Sequence, residues 1–165
     1  MLQWHNSLSE YPPQFEGEVC TRQGERRLIA WNNTLARDAQ GRVIGLTAIG
    51  EDVTERRRAE EQVRKLSQAV EQSPAIVVIT DCAGRIQYVN PKFTEVTGYS
   101  FEEVRGRNPR LLNSGETPPV EYKRLWEALA AGGEWRGEFH NRRKDGSLYW
   151  EAALVSALRD ADGAV

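Results

Sequence analysis

The segment Arg37-Asp38-Ala39-Gln40-Gly41-Arg42-Val43 returns 122 residues later as Arg159-Asp160-Ala161-Asp162-Gly163-Ala164-Val165. The same offset sets Thr21-Arg22-Gln23-Gly24 on Arg143-Lys144-Asp145-Gly146, and Gly17-Glu18-Val19 matches Gly137-Glu138-Phe139 at an offset of 120, which implies a two-residue insertion. Asp-x-Gly turns are common, but three matches in one order point to a duplicated unit, and a repeat constrains architecture more than any local pattern. The second copy begins near Ser73, so the start of the first falls before residue 1. The first copy runs on through Ile44 to Asp52, a strand-like segment with Ile, Leu and Thr, whereas the second stops at Val165. The expected organisation is therefore residues 1–53 as the C-terminal part of a first domain, 54–72 as a linker helix, and 73–165 as a second domain lacking its last strand.

Composition narrows the class. Of 165 residues, 39% are hydrophobic and 28% charged, with a net charge of −2, which suits globular domains and gives no basic footprint for nucleic acid. No apolar run approaches the ~20 residues that span a membrane, and no signal peptide follows Met1. Cys20 and Cys82 are too few for a disulfide framework and fit a reducing cytoplasm. They and the two histidines, His5 and His140, lack zinc-ligand spacing. There is no phosphate loop and no nucleophile–base set. These negatives favour a sensor or interaction module over a catalytic domain.

Within the second unit, Ala75–Thr80 and Ile86–Val89 read as a hairpin around Asp81-Cys82-Ala83-Gly84. Asn90 caps and Pro91 opens a helix that Gly98 ends, and Ser100 caps a short turn to Val104. A longer helix follows Thr117-Pro118-Pro119 and ends at Gly132-Gly133. Residues 135–143 and 148–158 read as strands about the turn Lys144-Asp145-Gly146-Ser147. Strands placed around a block of short helices predict an α+β domain with an antiparallel sheet. In the linker, Thr54 is positioned to cap a helix on which Ala59, Val63, Leu66 and Val70 form an a/d stripe. The stripe fits either a homodimer seam or a helix lying on its own domain.

These residues resemble a known family. Asn90-Pro91-Lys92-Phe93 with Thr97-Gly98-Tyr99 is similar to the strand-to-helix passage of PAS domains. Arg143-Lys144-Asp145-Gly146-Ser147 resembles their last hairpin. Glu51-Asp52-Val53-Thr54 resembles the junction from a PAS domain to a signalling helix. The resemblance covers almost the whole chain. It implies a five-stranded antiparallel sheet with short helices on one face, in the sensory part of a larger, cytoplasmic protein. Such proteins are often two-component histidine kinases, with a diguanylate cyclase or phosphodiesterase, or a cofactor-free dimerising relay, as the alternatives. The fragment itself is then not catalytic, and its partners are a second copy, paired through the linker helix, and a downstream output domain.

Gly106-Arg107-Asn108-Pro109-Arg110-Leu111-Leu112, Leu125-Trp126, Trp135-Arg136-Gly137 and Asn141-Arg142-Arg143-Lys144-Asp145 together look like the flavin-binding PAS sensors of the NifL type, and also resemble light-oxygen-voltage photoreceptors. The resemblance implies FAD or FMN. Pro109 stands where the photoreceptors carry an adduct-forming cysteine and NifL-type sensors a glutamate, so no light adduct is expected. The implied cofactor residues are Asn108, Arg110, Trp126, Asn141 and Tyr149. A carboxamide both donates and accepts, which suits Asn141 to the polar edge of an isoalloxazine ring; a strand Asn bonded to a neighbouring turn is the other reading. Trp126 and Tyr149 fit either ring packing or an ordinary core. Arg110 suits a flavin phosphate or plain surface, and Asn108 suits the ribityl chain or its own loop. His140, adjacent to Asn141, is expected to point the opposite way and to be exposed.

Overall fold

The computed structural model describes residues 12–158, and the repeat segment 159–165 lies outside them. The chain forms two compact units that divide between Leu66 and Ser67.

In the first unit, β1 (Gln14–Cys20), β2 (Arg26–Arg37) and β3 (Val43–Asp52) form one antiparallel sheet in that order. Half-buried Phe15, Gly17 and Val19 alternate with exposed neighbours along β1, as a sheet with one covered face requires. The helix α1 (Thr54–Glu71) follows after Val53.

The sequence predicted Thr54 as the cap of α1. Instead the helix begins at Thr54, and the Asp52 carboxylate accepts the Thr54 amide at 3.0 Å. The Thr54 hydroxyl oxygen meanwhile accepts the Leu28 amide of β2 at 2.8 Å. Hydrogen bonds from the hydroxyl and amide of Thr54 hold the Asp52 carboxyl below the usual carboxylate range. Val53 and Thr54 are both buried at this junction. Thr54→Val keeps the side-chain shape but removes the acceptor of the Leu28 amide. A loss of about 1–3 kcal/mol is expected, read as faster exchange of the Leu28 amide. Unchanged exchange would show that water replaces the hydroxyl.

The second unit runs β4 (Val78–Thr80), β5 (Ile86–Val89), α2 (Pro91–Thr97), α3 (Phe101–Val104), a single 3-10 turn at Pro109–Leu112, α4 (Pro119–Ala130), β6 (Glu134–Arg142) and β7 (Leu148–Ser156). The predicted punctuation holds. Asn90 accepts the Phe93 amide, Gly98 ends α2 in the left-handed region at φ 78°, and Ser100 with Glu103 closes a capping box on α3. β4 is shorter than the predicted 75–80. The Val77 amide and Ala75 carbonyl bond to the Asn90 side chain rather than to a strand. Ile86, Val89, Phe93, Val104 and Leu112 form the buried core, with Ile76, Val78, Tyr99, Phe101 and Leu111 packed against it.

β4 pairs with β5 and β6 with β7, both antiparallel, and the two pairs are not joined among the described residues. The hairpins of the two units superpose in register. Cys20 faces Arg26 and Arg142 faces Leu148, each pair closing a turn between them. The offset of 122 therefore runs unbroken through both hairpins, and Gly17 corresponds to Phe139 rather than to Gly137. The two-residue insertion expected from the sequence match is absent, because the Gly17–Gly137 likeness was one of composition and not of position.

Candidate functional site

Alternation along the β6–β7 hairpin puts Trp135, Gly137, Phe139 and Asn141 on one face with Val155, Ala153, Glu151 and Tyr149 directly opposite them. Tyr122 of α4 stacks on Phe139 at 5.7 Å, and Trp135 stacks on the same ring at 4.7 Å. The helix therefore covers this face, which makes it the interior one and puts Asn141 inside the unit.

The face is apolar at one end and polar at the other. At the polar end the buried Asn141 donates through Nδ2 to Glu151 Oε2 at 2.7 Å, and the Tyr149 hydroxyl donates to the same oxygen at 3.4 Å. Burial raises the Glu151 carboxyl above its ordinary value against the opposing pull of those two hydrogen bonds. Burial, and then the charge on Glu151, push the Tyr149 phenol up to about 12. A carboxyl raised by folding favours the protonated state. Its contribution to stability is therefore full below the unfolded value and is lost as pH rises through the folded one. The Arg143 guanidinium lies over the Tyr149 ring at 4.6 Å and donates to the Val96 carbonyl of α2 at 2.7 Å.

A second cluster lies at the 3-10 turn. The Asn108 side-chain oxygen accepts the Arg110 amide at 3.0 Å and the Arg110 Nε at 3.2 Å. Its Nδ2 sits where a Cβ on Gly84 would come within 2.7 Å, and Gly84 has φ 72°. In the free chain the Asn108 side chain thus braces its own turn, and Arg110 is exposed. Loop 113–117 is fastened to β6. Asn113 bridges to Asn141, the Ser114 hydroxyl donates to the His140 carbonyl, the His140 amide donates to Thr117 Oγ1 at 2.9 Å, and Arg142 donates to the Ser114 carbonyl at 2.8 Å.

Of the five sequence candidates, the structure brings Asn141 and Tyr149 face to face and Asn108 into contact with Arg110. Trp126 stands apart on α4 with 59% of its surface exposed, so it is not a core aromatic. Glu151 escaped the sequence reading. The signal for it was present: it alternates with Tyr149 on a strand, so it had to share the face chosen for that residue.

His140 points away from Asn141 as alternation requires, but its side chain is only 15% exposed. Trp150 stacks on it at 4.4 Å, and Glu116 lies 2.6 Å from its Nδ1. The expectation that His140 is exposed fails because these neighbours cover it. Among the described residues no His, Cys, Asp or Glu cluster has metal-binding geometry, and no helix is long and apolar enough to cross a membrane. A shallow cleft lined by Glu95–Gly98 and Arg143–Asp145 lies beside the hairpin turn and does not include Asn141, Tyr149 or Glu151.

The profile of the PAS fold matches residues 64–165. The chain belongs to the PAS-fold family. A second PAS-fold profile matches residues 1–58, so each unit carries its own match. The expected α+β PAS architecture with antiparallel strands is the one observed. The chain is 42% identical over 80 residues to the nitrogen fixation regulatory protein of Klebsiella oxytoca, covering 48% of this chain and 16% of that protein. It is 39% identical over 83 residues to blue-light-activated histidine kinase 1 of Erythrobacter litoralis, covering 50% of this chain and 22% of that protein. A light-oxygen-voltage domain solved in work on a flavin analogue is 35% identical with a TM-score of 0.56, over 61% of this chain and 77% of that one. This PAS chain thus spans less than a quarter of the length of those two curated relatives.

Proposed function

We propose that the chain is the sensory region of a larger signalling protein and that its second PAS unit binds a flavin, FAD or FMN, on the interior face of β6–β7. One observation carries the reading. In the shared hairpin register, the first unit has Val19, Arg27 and Ile29 where the second has Asn141, Tyr149 and Glu151. The first unit also carries an aromatic pair on this face, Phe15 stacked on Trp31, but among the described residues only the second sets a carboxamide, a phenol and a carboxyl beside its aromatic floor of Trp135, Phe139 and Tyr122, the uncharged donors and acceptors that a flat ring with one polar side requires. Asn141 and Tyr149 bind that side. Trp126, largely exposed on α4, reaches the ring only if the helix turns it inward when the ligand binds. Asn108 and Arg110 hold the polar tail, Arg110 as the phosphate partner. A bound flavin supplies reversible electron uptake, which the protein only tunes.

The signal leaves through a strand that pairs the free edge of β7, into a helix equivalent to α1. Exposed Val63 and Leu66 on α1 favour a helix–helix seam between two copies. A small rotation of that seam shifts the dimer between two packings and reaches the output domain, most simply a histidine kinase.

The test is the absorption spectrum and flavin affinity of the longer natural chain. Asn141→Ala removes one partner of a buried polar pair, worth about 1–3 kcal/mol, and is expected to weaken flavin binding by roughly ten- to a hundredfold. Blue light is expected to leave no long-lived adduct, since Pro109 offers no thiol. A colourless protein that binds neither FAD nor FMN at micromolar concentration overturns the flavin reading and leaves a cofactor-free relay through α1.

A further inference from the structure

We infer that Glu151 enters the ligand-bound state protonated and donates through its free oxygen to a carbonyl of the bound ring, so that binding takes up one proton. The inference rests on the flavin reading above. Its geometry is that of a carboxyl with one occupied and one open oxygen. Asn141 Nδ2 and the Tyr149 hydroxyl both donate to Oε2, and Oε1 has no partner among the described residues.

The charges that surround the site are spent elsewhere. On the hairpin, Arg143 lies over the Tyr149 ring and donates to the Val96 carbonyl, Ser147 Oγ and the Leu148 carbonyl. On β6, Arg136 pairs with Glu134 at 2.8 Å and Arg142 donates to Ser114. On α4, Arg124 pairs with Glu121 at 2.8 Å and Lys123 with Glu127 at 3.7 Å. From β6, Glu151 is faced by Asn141 and by Phe139, its cross-strand neighbour, on which Tyr122 of α4 stacks. Among the described residues no cation pairs with it.

A flat apolar ligand laid on this face expels water from Glu151 and brings no counter-charge. Burial of an uncompensated carboxylate disfavours its charged form, and the carboxyl is already raised by burial before any ligand arrives. The proton comes from solvent and stays on Oε1, where the resulting hydroxyl meets a ring carbonyl. Ligand affinity is therefore highest at low pH. It falls as pH rises from the free-state value of Glu151 to its higher bound-state value, by up to tenfold per pH unit for one linked proton.

The experiment is calorimetric titration of the longer natural chain with riboflavin, which has no phosphate to titrate, from about pH 5.5 to 8.5. Two buffers of different ionisation enthalpy count the protons. Wild type is expected to take up a proton and to bind at least tenfold more weakly at the alkaline end. Glu151→Gln keeps a donor and has no proton to lose, so its affinity is expected to be flat with pH and to exceed wild type at the alkaline end. A merely structural role for Glu151 would not strengthen binding on substitution. The proton count in wild type stands even if the variant folds poorly. Flat affinity with no proton uptake in wild type, or a folded Gln variant weaker than wild type at the alkaline end, overturns the inference and leaves the flavin reading intact. No binding of riboflavin, FMN or FAD at any pH overturns both.

Discussion

Asn90→Ala is expected to destabilise the second unit by about 2–4 kcal/mol, with exchange of the Val77 and Phe93 amides accelerated most. Asn90 is only 1% exposed. Its oxygen accepts the amides of Val77 at 2.9 Å and Phe93 at 3.2 Å, and its nitrogen donates to the carbonyls of Ala75 at 2.9 Å and Val70 at 3.3 Å. One side chain thus joins the end of α1, the approach to β4 and the start of α2. Truncation strands several buried backbone groups, each worth about 1–3 kcal/mol when unpaired. The total is less than additive because the groups share one site and water enters the gap. Against a domain stability of ~5–15 kcal/mol this is a large fraction. Asn90→Asp keeps both acceptor bonds and loses both donors. It is expected to protect the Phe93 amide better than Ala while leaving the Ala75 carbonyl unpaired. Equal exchange at Phe93 in the two variants would show that the cap is not what Asn90 supplies.

The role of Asn90 as a cap was legible in the sequence because capping is local. Asn before Pro, and Gly at the end of the helix, state their geometry within one turn of chain. The bracing of Val70 and Ala75 was not legible, since it depends on where α1 ends in space. The same division runs through the candidate site. Asn141 and Tyr149 are singled out by their resemblance to family motifs. Which face of the strand they occupy became definite only with Tyr122 stacked on Phe139, a contact between α4 and β6. Glu151 was hidden because an acidic residue in a strand reads as solvent-facing until the faces are assigned. Trp126 differs in the opposite sense: ring packing and an ordinary core are its two readings, and the free chain leaves it largely exposed. The Thr54 hydroxyl oxygen accepts the amide of Leu28, which lies on another strand and carries no marker in the sequence.

Trp135→Leu and Gly137→Ala are expected to be strongly non-additive, and that coupling tests whether the interior face is built as described. The Trp135 side chain, 5% exposed, folds back over Gly137. A Cβ on Gly137 would lie 2.3 Å from Trp135 Cζ2 and 2.6 Å from Cη2, a separation that the rigid indole cannot absorb without moving. Moving it disturbs the stack on Phe139 at 4.7 Å and, through it, the contact with Tyr122 of α4 at 5.7 Å. Gly137→Ala alone is therefore expected to cost about 1–3 kcal/mol as overpacking. Trp135→Ala is expected to cost about 3–5 kcal/mol, because the cavity lies in the covered face of the sheet. Trp135→Leu costs less and removes the obstacle above Gly137. In that background Gly137→Ala is expected to be neutral or stabilising, since alanine loses less chain entropy in a strand than glycine does. The coupling energy, about 1–3 kcal/mol by a double-mutant cycle in urea, measures the Trp135–Gly137 contact directly. The same aromatic row is the floor proposed for the flavin ring, so Trp135→Leu should also weaken flavin binding while Gly137→Ala/Trp135→Leu does not restore it. Additive stability effects would mean that the indole does not lie over Gly137, and the floor of the site would then have to be drawn from Phe139 and Tyr122 alone.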